Sequence, residues 1–185
     1  MDIDLLKECG HVLTFQTGQT ICREGETGKS MFVLLSGTAD VNINSFSDNV
    51  QTVGTLLPGS FFGEMSLLED KPRSATIIAT TDDVIVLEVT EADFSMLLLK
   101  ATSITYRLLL TLNGRLNLML NKIEEQDKRF AFQYRKNPIY ASIQKLEVRD
   151  FDTIAKKDPD YVWELLKYLS SSLEKLNREY ILHHS

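Results

Sequence analysis

Residues 58–78, PGSFFGEMSLLEDKPRSATII, break a strand-rich region with one short amphipathic turn. Gly63 permits a sharp change of chain direction, because glycine adopts backbone conformations closed to other residues. Glu64 opens a stretch long enough for a single helical turn, and Pro72 stiffens the return before Arg73. The first N–H groups of a helix lack internal partners and carry partial positive charge. The segment therefore predicts an anion site at the start of this turn.

An acid and a base flank the turn. Arg73 carries a planar guanidinium, the geometry that pairs best with a phosphate. Glu64 is an acceptor-only group when ionised, so it suits a sugar hydroxyl. The alternative is a surface loop in which Glu64 and Arg73 form an exposed ion pair, worth about 0–1 kcal/mol. Both interpretations are consistent with these residues alone.

The region from residue 11 to residue 89 consists of short β-branched and apolar runs separated by glycine-containing turns. Glycine supplies the positive φ that tight turns need. Many short strands at this spacing are typical of an antiparallel sandwich or jelly roll. The predicted strands are HVLTF, MFVLL, ADVNIN, VQTVGTL, SATIIAT and DVIVLEV.

The sequence period becomes helical at Thr90, a plausible N-cap with Asp93 three residues later, close to a capping box. A longer helix follows to about Asn121, with apolar residues at spacings of three and four. Such a stripe is more often a core contact than a dimer seam. Its length nevertheless favours a homodimer through residues 104–123. The stripe consists of Leu108, Leu112, Leu116, Met119 and Ile123.

The ends of the chain also carry helical patterns. Residues 2–9 predict a short leading helix. Near the other end, Asp158 at an N-cap and Pro159 at the first helical position predict the start of a long helix. The apolar face of this helix consists of Val162, Leu165, Leu166, Leu169, Leu173 and Leu176.

The segment FFGEMSLLEDKPRSAT resembles the phosphate-binding cassette of the cyclic nucleotide-binding domains, a Phe-Gly-Glu, a short helix and an Arg followed by small residues. The upstream runs GQTICREGETGKSMFVLLSGTADV and GTLLPGSFFGE are similar to the same family. The resemblance covers roughly residues 3–123. It implies a mainly β fold with helical flanks: a double-stranded β-helix, or jelly-roll-like β-roll, followed by a long helix and an α-helical C-terminal tail.

The resemblance also implies a ligand, cAMP or cGMP, and no other cofactor. By position, Glu64 is similar to the acid that holds the ribose 2′-hydroxyl, and Arg73 to the arginine that pairs with the cyclic phosphate. Ser74 stands where cGMP-selective members often have Thr, which favours cAMP. The positions that would line the phosphate besides Arg73 are Gly63, Met65, Ser66 and Ser74.

The base contact departs from the family pattern. In the bacterial regulators of this family, a Thr-Ser pair on the long helix contacts the purine. The nearby positions here are Met119 and Leu120. The adjacent amides, Asn117 and Asn121, are therefore the candidate base contacts.

Composition and motifs argue against several other functions. The net charge is −6, and residues 124–185 carry 11 basic and 11 acidic side chains, without the basic excess typical of DNA-binding domains. A cupin-type enzyme needs a cluster of His and carboxylate metal ligands, whereas the strand region contains only His11. The sequence has no G-x-S-x-G or Walker A motif. It shows neither a signal peptide nor an apolar run of the ~20 residues that span a membrane. Cys9 and Cys22 predict neither a disulfide framework nor a zinc site.

We therefore expect a cytoplasmic, non-enzymatic sensor without a metal. A cyclic nucleotide-binding domain would span residues 1–123, and a helical extension would span residues 124–185. Ligand binding would be coupled to movement of the C-terminal helices and regulate a protein partner that the sequence does not identify. The alternatives are a transcription regulator of the catabolite-activator type with a diverged DNA-binding tail, and a ligand-free interaction scaffold.

Overall fold

A computed structural model describes residues 6–45, 49–125 and 127–182, with side chains as far as Arg178. It divides into two compact units, one ending at Ala101 and the other beginning at Thr102. The strands, all in the first unit, are β1 (His11–Phe15), β2 (Thr20–Cys22), β3 (Ser30–Ser36), β4 (Ala39–Ile43), β5 (Gln51–Leu56), β6 (Phe61–Phe62), β7 (Thr76–Ala79) and β8 (Val84–Thr90). The helices of the first unit are α1 (Glu64–Glu69) and α2 (Glu91–Lys100). Those of the second unit are α3 (Thr102–Glu124), α4 (Lys128–Arg135), α5 (Pro138–Ile143), α6 (Val148–Lys157) and α7 (Pro159–Leu182).

The first unit is a sandwich of two four-stranded antiparallel sheets, with strand orders β1-β8-β3-β6 and β2-β7-β4-β5. Side chains from both sheets meet between the layers, which is where a sandwich buries its apolar residues. This core consists of Cys22, Phe32, Leu34, Ala39, Phe62, Ile77, Ala79, Val84 and Val86. The predicted fold class, a β-roll with helical flanks and a helical tail, is confirmed.

The six predicted strands correspond to β1, β3, β4, β5, β7 and β8. The strands β2 and β6 are not among the predicted runs, because three and two residues are too few to show an alternating pattern. Of the leading helix predicted at residues 2–9, residues 2–5 lie outside the described part of the chain, and Leu6 and Lys7 are helical.

Helix α2 begins at the predicted capping box. The Thr90 Oγ1 accepts a hydrogen bond from the Asp93 amide at 3.4 Å, and the Asp93 carboxylate accepts one from the Thr90 amide at 3.1 Å. Both ends of the box are therefore formed. The hydrogen bond from the Thr90 hydroxyl lowers the pKa of Asp93 below its ordinary value.

In the second unit, helix α3 packs against α7, α4 and α6. The predicted apolar faces of α3 and α7 are buried within this unit, apart from Met119, which is half-buried. The stripe on α3 is thus a core contact of the chain itself and does not provide a dimer surface. A homodimer through residues 104–123 stays a prediction, and its contact would involve the other face of α3, where Leu110 and Leu118 are exposed.

A row of three asparagines at four-residue spacing on α3 joins it to the following helices. The Asn113 Oδ1 accepts a hydrogen bond from Gln144 Nε2 at 2.6 Å. The Asn117 Oδ1 accepts one from the Tyr140 hydroxyl. The remaining hydrogen bond joins the Asn121 Oδ1 to Arg135 Nη2 at 2.6 Å. Residues four apart lie on the same helix face, so the row forms a polar seam beside the apolar stripe.

The boundary between the compact units differs from the division predicted after residue 123. Helix α3 packs with the tail helices, so the compact division falls before it, at 101/102. The predicted domains, residues 1–123 and 124–185, stay a proposal about function. Within the described residues, the structure contains no helix long and apolar enough to cross a membrane.

We predict that Thr90→Ala lowers the free energy of unfolding of the first unit by about 1 kcal/mol, the usual cost of losing an N-cap side chain. Because the folded state lowers the pKa of Asp93, the contribution of its carboxylate is present above the ordinary pKa and is lost as pH falls through the lowered value. Urea denaturation followed by far-UV circular dichroism at pH 7 and at acidic pH measures both effects. Ser95→Ala, at an exposed interior position of α2, is the control and should be neutral or slightly stabilising, because Ala has the higher helix propensity. Equal stability of Thr90→Ala and the wild type at pH 7 would contradict the prediction.

We predict that Asn117→Ala destabilises the second unit by about 1–3 kcal/mol, because the hydroxyl of Tyr140, a 4% exposed residue, loses its acceptor. Trp163 is the single tryptophan and lies on α7, so its fluorescence reports urea unfolding of this unit. Asn113→Ala is a matched control on the same helix, since its hydrogen bond with Gln144 is exposed and should contribute less. An equal loss in both variants would show that burial of the seam does not matter.

Candidate functional site

Helix α1 is a six-residue helix between β6 and β7, and left-handed residues mark both of its ends. Gly63 precedes it with φ 72°, and Asp70 ends it with φ 55°. Leu67 and Leu68 are buried and anchor the helix to the roll. The N-cap residue, Gly63, has no side chain that could cap the helix. The amides of its first turn are therefore of the kind that bind anions at helix N-termini.

The backbone around Arg73 is paired with the segment before β3. The Gly25 amide donates to the Arg73 carbonyl at 2.8 Å, and the Arg73 amide donates to the Glu26 carbonyl at 2.9 Å. An antiparallel bridge between Thr27 and Pro72 continues this pairing. The main chain thus fixes the point from which the Arg73 side chain extends.

The guanidinium of Arg73 is held by oxygen atoms of two other chain segments. Its Nη1 donates to the Ser30 carbonyl at 2.6 Å and to the Gly63 carbonyl at 2.9 Å, and its Nη2 donates to the Ser30 Oγ at 3.0 Å. The Cζ atom lies 5.1 Å from the centre of the Phe32 ring, a cation–π distance. Phe32 in turn stacks on Phe62 with ring centroids 5.1 Å apart. These hydrogen bonds and the ring contact together fix the orientation of the Arg73 guanidinium.

Two glycines make room for this guanidinium. A Cβ added at Gly28 would lie 2.7 Å from Arg73 Nη2, closer than real Cβ contacts allow. A Cβ added at Gly63 would collide with Arg73 Nη1, at a left-handed φ that already disfavours a side chain. The close approach of the backbone to Arg73 thus requires glycine at both positions.

Of the predicted site residues, Glu64, Ser66 and Arg73 are buried, with exposures of 5%, 2% and 7%. Gly63 and Met65 are half-buried, and Ser74 is exposed. Since Glu64 and Arg73 are both buried, the alternative of an exposed surface ion pair is wrong. The hydrogen bond from Arg73 to the Gly63 carbonyl brings the arginine to the start of α1. The individual ligand-binding roles remain predictions.

The candidate base contacts, Asn117 and Asn121, lie on α3 in the second unit. Their side-chain oxygens accept hydrogen bonds from Tyr140 and Arg135, so both have structural roles there. Their predicted contact with a base remains untested.

Gly28, Ser30 and Gly63 surround the Arg73 guanidinium, and we call them the arginine cradle. Of these three, Gly28 and Ser30 were not predicted as site residues. The available signal was the run Gly28-Lys29-Ser30, a glycine and a small polar residue immediately before the apolar core of β3. The run belongs to a segment that resembles the family. The pattern does not indicate, however, that the carbonyl and hydroxyl oxygens of Ser30 face a residue more than 40 positions later.

Cys22 lies in the core near the arginine. Burial raises the pKa of its thiol, and the positive charge of Arg73 partly opposes this shift. The thiol therefore stays protonated at neutral pH and behaves as a small apolar core group.

The β-sandwich, the short helix α1 and the buried arginine beside it define a class of ligand-binding roll, and comparisons with known proteins identify the family. The family model described as the cyclic nucleotide-binding domain matches residues 12–101. The resemblance to this family is thus confirmed for the segment that contains α1 and Arg73.

Among curated relatives, the chain is 44% identical over 68 residues to a cAMP-dependent protein kinase regulatory subunit of Colletotrichum orbiculare, covering 37% of this chain. It is 37% identical over 89 residues to human cGMP-dependent protein kinase 2, covering 48% of this chain. The matches span only 17% and 12% of the length of these two relatives. Among solved structures, the Thermus thermophilus catabolite activator protein aligns with a TM-score of 0.49 and 17% identity, covering 92% of this chain and 94% of that one.

We predict that alanine at Gly28 or Gly63 disturbs Arg73, whereas alanine at Gly18 does not. Gly18 has φ 82° with open space around it, so Gly18→Ala adds backbone strain of about 1–2 kcal/mol alone. Gly28→Ala adds the contact with the guanidinium without a left-handed φ, and Gly63→Ala adds both. Urea denaturation should therefore rank Gly63→Ala as the least stable of the three. Were Gly18→Ala and Gly63→Ala equally stable, the cradle would tolerate a side chain at Gly63.

Proposed function

We propose that the protein is a cyclic nucleotide sensor, with cAMP preferred over cGMP, whose site consists of the first turn of α1 and the guanidinium of Arg73. The observation that carries the proposal is the buried arginine, fixed to the Gly63 carbonyl at the start of a helix without a side-chain cap. A buried cation beside the N-terminus of a helix is suited to a compact anion. The match of residues 12–101 to the cyclic nucleotide-binding domain supports a cyclic phosphate as that anion.

Different residues would bind the phosphate and the ribose of the ligand. In this proposal, the phosphate accepts hydrogen bonds from Arg73 and from backbone amides or side chains at Gly63, Met65 and Ser66, while Glu64 accepts one from the ribose 2′-hydroxyl. Ser74 is exposed and would reach a phosphate oxygen only at the solvent-facing edge of the proposed site. The preference for cAMP depends on Ser74 standing in place of Thr.

The chain does not supply a catalytic function in this proposal. Binding shifts α2 and the following helices, and the helical unit carries the response to a protein partner or to a second copy of the chain. Such coupling requires the ligand to bind the two helix arrangements with different affinities. The regulatory subunit and the cyclic nucleotide-dependent kinase among the relatives support a regulatory role.

Calorimetric titration with cAMP and cGMP tests the binding step. We expect wild type to bind both ligands, with cAMP the tighter one. Arg73→Ala should lower the affinity roughly tenfold to a hundredfold, because a hydrogen bond to a charged group contributes about 1.5–3 kcal/mol. Arg23→Ala removes an arginine whose side chain is 60% exposed and should leave the affinity within about twofold of wild type.

The ligand itself provides a second control that does not depend on folding. If Glu64 binds the 2′-hydroxyl, Glu64→Gln weakens cAMP binding but leaves the affinity for 2′-deoxy-cAMP unchanged. No heat with either cyclic nucleotide would leave the ligand-free scaffold as the best description. Tight DNA binding with a steep salt dependence would instead favour the transcription regulator.

A further inference from the structure

Ser30 makes two contacts with the same guanidinium, one from its backbone and one from its side chain. Its carbonyl accepts from Arg73 Nη1 at 2.6 Å, and its Oγ accepts from Arg73 Nη2 at 3.0 Å. Ser30 and Arg73 are only 6% and 7% exposed, so water competes little for these hydrogen bonds. A single residue thus occupies the end of the guanidinium fork.

Glu88 determines which way the Ser30 hydroxyl points. The Ser30 Oγ donates its proton to Glu88 Oε1 at 2.8 Å. A serine hydroxyl has one proton and two lone pairs, so an oxygen that donates to Glu88 turns its lone pairs toward Arg73. The carboxylate of Glu88 therefore acts on the arginine through the serine, without touching it.

The pairing of β3 with β8 explains why these residues meet. Ser30 lies opposite Thr90, and Phe32 lies opposite Glu88. Ser30 and Glu88 are thus diagonal neighbours on adjacent strands, a separation that a glutamate side chain spans. Phe32 is the ring over which the Arg73 guanidinium lies, so β3 presents both its aromatic and its hydroxyl contact to the arginine.

The arginine retains two donors on one edge. A guanidinium has five N–H groups, and the described contacts use two on Nη1 and one on Nη2. The Nε–H and the second Nη2–H donate to no other described residue. These two groups form a side-on pair with the spacing that two phosphate oxygens accept.

We infer that Ser30 and Glu88 are positioning residues for Arg73, which fix the guanidinium so that its Nε/Nη2 edge meets the ligand phosphate. The inference deepens the proposed function and rests on it. It assigns Glu88, two residues before the N-cap of α2, to the ligand site through Ser30. Neither residue needs to touch the nucleotide.

A double-mutant cycle tests this inference. Ser30→Ala should weaken cAMP binding about threefold to tenfold, the range of one net hydrogen bond. Glu88→Ala should have a similar effect, whereas Glu88→Gln keeps an acceptor for the Ser30 hydroxyl and should stay within about twofold of wild type. In an Arg73→Lys background, Ser30→Ala should cause no further loss, because the residue acts only through the arginine. An equal loss in both backgrounds would show a merely structural role and overturn the inference.

A ligand-free measurement separates failure of this inference from failure of the proposed function. In ¹⁵N NMR spectra, a guanidinium fixed by Ser30 should show separate Nη1 and Nη2 signals, since rotation about the Nε–Cζ bond, which interchanges the two nitrogens, is hindered. The signals are assigned to Arg73 by their loss in Arg73→Lys. Ser30→Ala removes the Oγ contact and keeps both carbonyl contacts, so it should speed this rotation and broaden the two signals or merge them, whereas Glu88→Gln should not. Unchanged signals in Ser30→Ala and Glu88→Ala would overturn the inference even if wild type binds cAMP. Absence of binding by a wild type that shows the expected signals would reject only the proposed function.

Discussion

The burial of one guanidinium constrains the whole first unit. A charge that is 7% exposed costs several kcal/mol in desolvation unless hydrogen bonds compensate for it. The compensation comes from dipoles: the carbonyls of Ser30 and Gly63 and the hydroxyl of Ser30. These atoms belong to a strand start and to a helix entry far apart in sequence. Arg73 can therefore be satisfied only when β3, α1 and its own segment are all in their native places.

The same constraint explains which parts of the site the sequence predicts. Gly63, Glu64 and Arg73 stand out because they are polar or flexible residues that interrupt a strand pattern. Gly28 and Ser30 do not, since a glycine and a serine before a strand are ordinary turn residues. Gly28 and Ser30 meet Arg73 because folding brings distant segments of the chain together, and local periodicity does not show which segments meet. The strand pattern predicts the sandwich for the same reason that it misses the cradle: alternation reports which face is buried and not which residues meet.

In the helical unit, the apolar spacing of α3 and α7 predicts both buried faces, because a helix repeats its core contacts every three or four residues. The spacing does not show which helix packs against an apolar stripe. A long apolar stripe is compatible with a second chain or with helices later in the same chain, and here α7 and the shorter helices bury it. The asparagine row has the same four-residue spacing, and two of its members, Asn117 and Asn121, are the candidate base contacts. The side-chain oxygens of the row accept hydrogen bonds from residues 135–144, so polar residues beside an apolar stripe also contribute to helix packing.

The contacts of Arg73 also limit how a ligand could act on the first unit. The hydrogen bond from Nη1 to the Gly63 carbonyl joins the arginine to the start of α1 through groups of the chain itself. A ligand changes a conformational equilibrium only through contacts that differ between the two states. If the contact between Arg73 and Gly63 persists in both states, the differing contacts involve other groups, such as the α1 amides or the strand end that carries Glu88 and Thr90. The capping box at Thr90 makes that strand end and the first turn of α2 one rigid piece, so displacement of β8 by a fraction of an ångström would redirect the helix axis rather than unwind its start.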